Sequence, residues 1–200
     1  MELAPAYAGH RLTPTAQHTL EVFLDYTCRF SAKLWRTLES QILPQLKQDS
    51  KVSVIFRHQV QPWHPNSTLL HEASLAVEKL NPGAFALFTS VLFERQTEFF
   101  DEATVNMTRT EIYKKLTDVA LSINAVDDGT AMLQLLDIQS SDQPINKGNA
   151  VTGDLKYHVR LARAQGIHVS PTVVFDGVRD DSVSSSWSLD QWNTWLSAKL

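Results

Sequence analysis

The chain has 200 residues and a single cysteine, Cys28. One thiol excludes an intramolecular disulfide and any all-cysteine zinc site. It also makes a reducing compartment the simpler expectation. Long hydrophobic runs are missing too; nothing approaches the roughly 20 apolar residues that span a bilayer, so no membrane partner is expected. The opening residues, Met1 to Ala6, lack the basic n-region and apolar h-region of a secretory signal. A cytoplasmic location is therefore expected. There is no excess of positive charge. Lys and Arg number 18, Asp and Glu 22, and the net charge is −4. That balance argues against nucleic acid, whose phosphates call for a basic footprint. Repeats and low-complexity tracts are also absent, and with 43% hydrophobic residues the chain is large enough to bury a real core.

The most informative stretch runs from Glu21 to Trp35. A β-prone run with Val22, Phe23, Leu24 and Tyr26 ends at Cys28, and a helix-compatible run begins just after it. A cysteine at such a junction lies among the unpaired N–H groups of a helix's first turn, which favour the charged form of the thiol. Arg29 adds a positive charge next to it. Along the strand Val22, Leu24 and Tyr26 share one face, and Glu21, Phe23 and Asp25 the other.

The rest of the chain alternates in kind. Residues 1–18 read as an irregular arm with a short strand near its end. A strand is expected over 19–26, a helix over 31–48 with a kink or early end at Pro44, and a second strand over 51–60. The two strands and their helix make a right-handed parallel unit. Asn66 or Ser67 is placed to cap a helix striped by Leu69, Ala73, Ala76, Val77 and Leu80. Further helices are expected over 84–95, after the capping-box pattern Thr108-x-x-Glu111, and over 130–138. Another covers 149–165 and ends at Gly166. A strand follows at 172–175, then a turn at Asp176-Gly177, a short last strand within 181–186, and a helix over 188–196. The sequons at Asn66 and Asn106 carry no weight without secretion.

Two separated patches give a family resemblance. The first is Phe23-Leu24-Asp25-Tyr26-Thr27 running into Cys28-Arg29-Phe30-Ser31. The second is Gly166 to Gly177, containing Ser170-Pro171 before the strand Thr172–Phe175. Together they resemble the thioredoxin-like superfamily, and within it the bacterial disulfide-oxidase (DsbA-like) branch. There, an aspartate and an aromatic lead into Cys-Pro-x-Cys, and a cis-proline loop faces the active cysteine. Here Arg29 replaces the proline and Ser31 the second cysteine. The resemblance implies an α/β fold with a thioredoxin-like central sheet, built from residues 1–65 and 146–200, and a helical insertion over 66–145. It implies a cis Pro171, with Ser170 facing the substrate.

The candidate site follows from both lines. Cys28 is the nucleophile. Ser31 either stabilises its thiolate from one turn away or simply caps the helix. Arg29 and Phe30 are placed to bind substrate, together with Ser170 and Pro171. Asp25 is a candidate proton relay. A serine cannot resolve a mixed disulfide at neutral pH, so an internal dithiol cycle is excluded. The expected reading is a monothiol oxidoreductase or glutathione-linked enzyme, acting on glutathione or another thiol or disulfide. Its rivals are a degenerate binding protein and a non-redox enzyme in the same groove, as in kappa-class glutathione transferases and chromene isomerases. Cys28-Arg-Phe-Ser31 also resembles the Cys-Gly-Phe-Ser motif of monothiol glutaredoxins, without its glycine. No metal is expected: His58, His64 and His71 have spacings that fit no zinc pattern. Trp63, Trp187, Trp192 and Trp195 read as core or groove wall. The oligomeric state is not legible.

Overall fold

A computed structural model describes residues 3–48, 51–138, 142 and 145–200. Strand β1 (His18–Leu24) is the hinge of the molecule. It pairs in parallel with β2 (Val52–His58) and antiparallel with β3 (Thr172–Phe175), which turns through Asp176 and Gly177 into β4 (Val178–Arg179). The sheet order is β2-β1-β3-β4. Both turn residues have positive φ, 48° and 80°, the hand that suits a two-residue hairpin.

The last strand lies earlier than expected. Asp180 explains this: its carboxylate accepts from the Ser182 N–H and hydroxyl and from Trp195 Nε1. A side chain that closes a local turn competes with strand pairing, so 181–186 is a loop held against the C-terminal helix.

The two faces of β1 divide as its alternation requires. Leu20, Val22, Leu24 and Tyr26 join the main core, while Phe23 packs with Ala162, Ile167 and Val174 on the other side. β2 would be a bare edge, but the N-terminal segment covers it. A 3-10 helix at Pro5–His10 is followed by one antiparallel bridge, Arg11 to Ile55. Leu12 N–H then donates to the Val54 carbonyl, and Thr13 Oγ1 bonds both Val52 O and Val54 N. The arm thus contributes a bridge where a short strand was expected.

Helix α1 (Arg29–Thr37) leaves the end of β1. It passes through a π-helical stretch, Leu38–Ile42, into α2 (Leu43–Gln48). Pro44 lacks the N–H that Ser40 O would receive and its ring crowds that carbonyl. The wider turn, with Leu43 N–H reaching Leu38 O, absorbs the misfit without ending the helix.

The region between β2 and β3 is helical among the described residues. It comprises α3 (Ser67–Leu80), α4 (Phe85–Glu94), the short α5 (Asp101–Thr104), α6 (Arg109–Ser122), α7 (Gly129–Leu136) and α8 (Thr152–Ala164). α9 (Leu189–Lys199) closes the chain. The Thr108–Glu111 capping box is formed, and Ser188 with Gln191 makes a second one. Asn66 precedes α3 but does not cap it; its amide donates to Phe99 O and Thr104 Oγ1. Of the expected α3 stripe Ala73, Ala76 and Val77 are fully buried, Leu69 is half-buried with Leu70 in the inward place, and Leu80 is exposed. α8 ends as expected: Gly166 has φ +66°, Ile167 N–H bonds Ala162 O at 2.8 Å, and Ile167 is buried.

Candidate functional site

Cys28 is the N-cap residue of α1, at the end of the turn that follows β1. Its N–H bonds Asp25 O at 3.1 Å and its carbonyl receives Ala32 N–H at 3.0 Å. The thiol makes no capping bond to α1. It points across the sheet ends, where Sγ donates to the Ser170 carbonyl at 3.4 Å. The Ser170–Pro171 peptide is cis. Two loops 142 residues apart thus meet at the sulfur, because β1 and β3 are neighbours and both loops leave the same sheet edge. Gln96, from the helical region, donates to Tyr26 O at 2.8 Å and holds the loop from the far side.

Asp25 is fully buried beneath this loop. Its Oδ1 accepts from Thr27 N–H and hydroxyl, both at 2.8 Å, and Oδ2 from Gln61 N–H at 3.0 Å. His64 Nδ1 lies 3.2 Å from the same Oδ2, and His64 lines the groove with Cys28. The Asp25–His64 pair could not be read from the sequence, where His64 figured only as a discounted metal ligand.

Ser31 is in a different place from the one its candidate role as thiolate partner required. It is buried, and its hydroxyl accepts from the Asp25 N–H at 3.2 Å. It anchors the loop rather than the sulfur. Arg29 and Phe30 are both exposed, with the guanidinium 4.9 Å from the ring centroid.

The sulfur opens onto a groove of about 510 Å³. Cys28 itself is only 7% exposed. Three exposed apolar side chains stand on the rim, Phe30 at 49%, Trp63 at 58% and Val169 at 54%, beside the exposed charges of Arg29, Asp101 and Glu102. Exposed rings around a concave site are unlike ordinary surface and are the material of a binding groove. Of the four tryptophans weighed from sequence, Trp63 is groove wall, while Trp192 and Trp195 are core. Pro171 is half-buried behind Ser170, whose hydroxyl has no hydrogen-bond partner among the described residues.

No helix among the described residues is long and apolar enough to cross a membrane. None of the curated proteins compared with the chain matches it in sequence. Solved structures do match. A proposed protein-disulfide isomerase from Pseudomonas syringae shares 25% identity, over 92% of this chain and 96% of that one, with a TM-score of 0.74. Oxidised BdbD from Bacillus subtilis shares 21%, over 96% and 92%, with a TM-score of 0.68. The thiol-disulfide exchange protein α-DsbA2 from Wolbachia pipientis shares 16%, over 94% and 84%, with a TM-score of 0.63. A family model described as thioredoxin matches residues 10–198. With a sulfur at a strand-to-helix junction, a proline loop facing it and helices inserted after β2, the chain belongs to the thioredoxin family, as a DsbA-like member.

Proposed function

We propose that the chain is a thiol–disulfide oxidoreductase of the DsbA type that works with one thiol. The observation that carries this reading is the Cys28 sulfur, held 3.4 Å from the Ser170 carbonyl at the floor of an apolar groove. A substrate disulfide entering the groove is attacked by the Cys28 thiolate. One substrate sulfur becomes bonded to Cys28 and the other leaves as a thiolate. With serine at position 31, a second, external thiol must attack the mixed disulfide and release Cys28.

Glutathione suits both steps. It is a small disulfide when oxidised and a resolving thiol when reduced, and its carboxylates are matched by the exposed Arg29. Ser170 and Pro171 align the disulfide, and Phe30 receives its apolar flank. Asp25 and His64 pass the proton between the buried site and water.

The test is a glutathione-dependent exchange assay on a small disulfide. Cys28→Ala should abolish turnover. Arg29→Ala should raise KM for glutathione by roughly a few-fold with kcat little changed, as expected for one exposed charge. Turnover that survives Cys28→Ala contradicts the proposal. A second reading draws on the low exposure of Cys28 and the loss of a resolving thiol: the groove then binds an apolar partner without redox chemistry. In that case an inert thiol would accompany ligand binding that Cys28→Ala does not disturb.

A further inference from the structure

Four of the seven histidines, His10, His58, His71 and His158, are buried together. His10 Nε2 lies 2.9 Å from His58 Nε2, and His58 Nδ1 lies 2.6 Å from His71 Nδ1. The outer nitrogens of this row face carboxylates. His71 Nε2 is 3.8 Å from Asp25 Oδ1, and His10 Nδ1 is 3.7 Å from Glu78 Oε1. His158 closes the group, its ring stacked on His10 at 5.1 Å and edge-on to His58 at 4.8 Å. Both nitrogens of His158 are buried without a hydrogen-bond partner. One nitrogen from each of His10, His58 and His158 lies within 4.8 Å of the other two.

Hydrogen bonds do not close the cluster. A neutral imidazole has one N–H. The row of His10, His58 and His71 uses two such protons between its rings, and leaves His10 Nδ1 and His71 Nε2 buried without a hydrogen-bond partner among the described residues, 3.7 and 3.8 Å from the carboxylates. His158 has no such partner at either nitrogen.

A cation would give the inward-facing nitrogens a common partner. If the Nε2 lone pairs of His10 and His58 face an ion, no proton is needed between them. The three N–H groups then point outward, from His10 to Glu78, from His58 to His71 and from His71 to Asp25. Metal-bound histidines are commonly oriented in this way by a hydrogen bond from the second nitrogen. His158 supplies a third lone pair. Arg57, the cation beside the cluster, is paired with Glu21, and Asp25 and Glu78 are the carboxylates that face the rings. Zinc–nitrogen bonds of about 2.0–2.1 Å in a tetrahedron put donors about 3.3 Å apart, so the 2.9 Å pair has to open by a few tenths of an ångström and His158, within 4.8 Å of both, has to close in.

We propose that His10, His58 and His158 form a buried site for a late first-row divalent ion of the zinc, nickel or copper type, with Glu78 and the His71–Asp25 pair orienting the ligands. Three imidazoles favour these ions over magnesium or calcium, which take oxygen. The cluster does not line the groove; Asp25, which faces His71 and His64, and Tyr26, which packs on His71, lie between them.

The test uses the full chain, stripped with chelator and refolded with zinc or cobalt(II). Wild type should keep one equivalent of zinc through dialysis, release it slowly to chelator, and give the intense visible spectrum of four-coordinate cobalt. His158→Phe keeps an aromatic ring beside Tyr7 and Tyr157 and removes only the donors. It should weaken zinc binding at least tenfold and remove the cobalt spectrum, and His10→Phe should do the same. Zinc held equally well by both variants would place it on His18, His64 or His168 and overturn the proposal. Should neither variant fold, the wild-type cobalt spectrum decides: no binding, or the weak spectrum of an octahedral ion, overturns it.

Discussion

At the scale of single residues, Ser31 shows how a substitution can be read correctly for chemistry and wrongly for contact. Its identity excludes a resolving thiol, which the sequence alone establishes. Its partner is legible only in three dimensions, because the turn from Asp25 to Cys28 folds the Asp25 N–H back onto the hydroxyl. Ser31→Ala would leave that buried N–H without its acceptor, a cost of about 1–3 kcal/mol. Urea denaturation should show the loss, and an unchanged midpoint would mean that the hydroxyl does not hold the loop. Asp25, Cys28, Ser170 and Pro171 could be found from two motifs. His64 could not, since its contact with Asp25 spans 39 residues and belongs to no local pattern.

Among the elements, caps and turns were the most legible parts, because their chemistry is local. The Thr108–Glu111 box formed as written in the sequence. Thr108→Ala should cost about 1 kcal/mol, read as a shift in thermal or urea midpoint; no shift would mean that α6 does not depend on its cap. The π-helical stretch before Pro44 was only half legible: proline announced a disturbance, but whether the chain bends, stops or widens depends on packing. Leu38, Ile42, Leu43 and Leu46 are all buried, so continuing the helix keeps their contacts and widening costs less than ending. Gly9 was passed over entirely. A Cβ there would come within 2.2 Å of both Glu78 Oε2 and the Pro82 carbonyl. Gly9→Ala should therefore displace the N-terminal segment that carries His10, and it should lower the melting temperature. A variant as stable as wild type would show that the segment shifts freely.

Across the whole molecule, the histidine cluster was the least legible feature. His10 and His58 lie 48 residues apart, and His158 comes from a different helix. Only the sheet edge, the N-terminal arm and α8 together bring them into contact. The cluster sets a pH dependence for the metal-free protein. Unfolded histidines take up protons near pH 6.5, while burial holds His10 down to about 3 and His71 to about 4, and His58 and His158 well below the usual range. Below pH 6.5 the unfolded chain binds more protons than the native one, so stability falls as pH falls. Glu78 acts in the opposite sense between about 7 and 4.5, where the native state holds the extra proton. Four imidazoles outweigh one carboxyl. In chelator, the unfolding free energy should drop by about 2 kcal/mol or more between pH 7 and pH 5. A flat or rising profile would contradict the buried, neutral cluster.

The central claim concerns Cys28. Its most direct measurement is the intact mass of the native protein after incubation with oxidised glutathione, alongside the Cys28→Ala variant. The monothiol account predicts a single glutathione adduct on wild type, reversed by excess reduced glutathione, and none on the variant. A native protein that forms no adduct, yet labels readily at Cys28 once unfolded, would contradict it and leave the thiol as part of the packing beneath a binding groove.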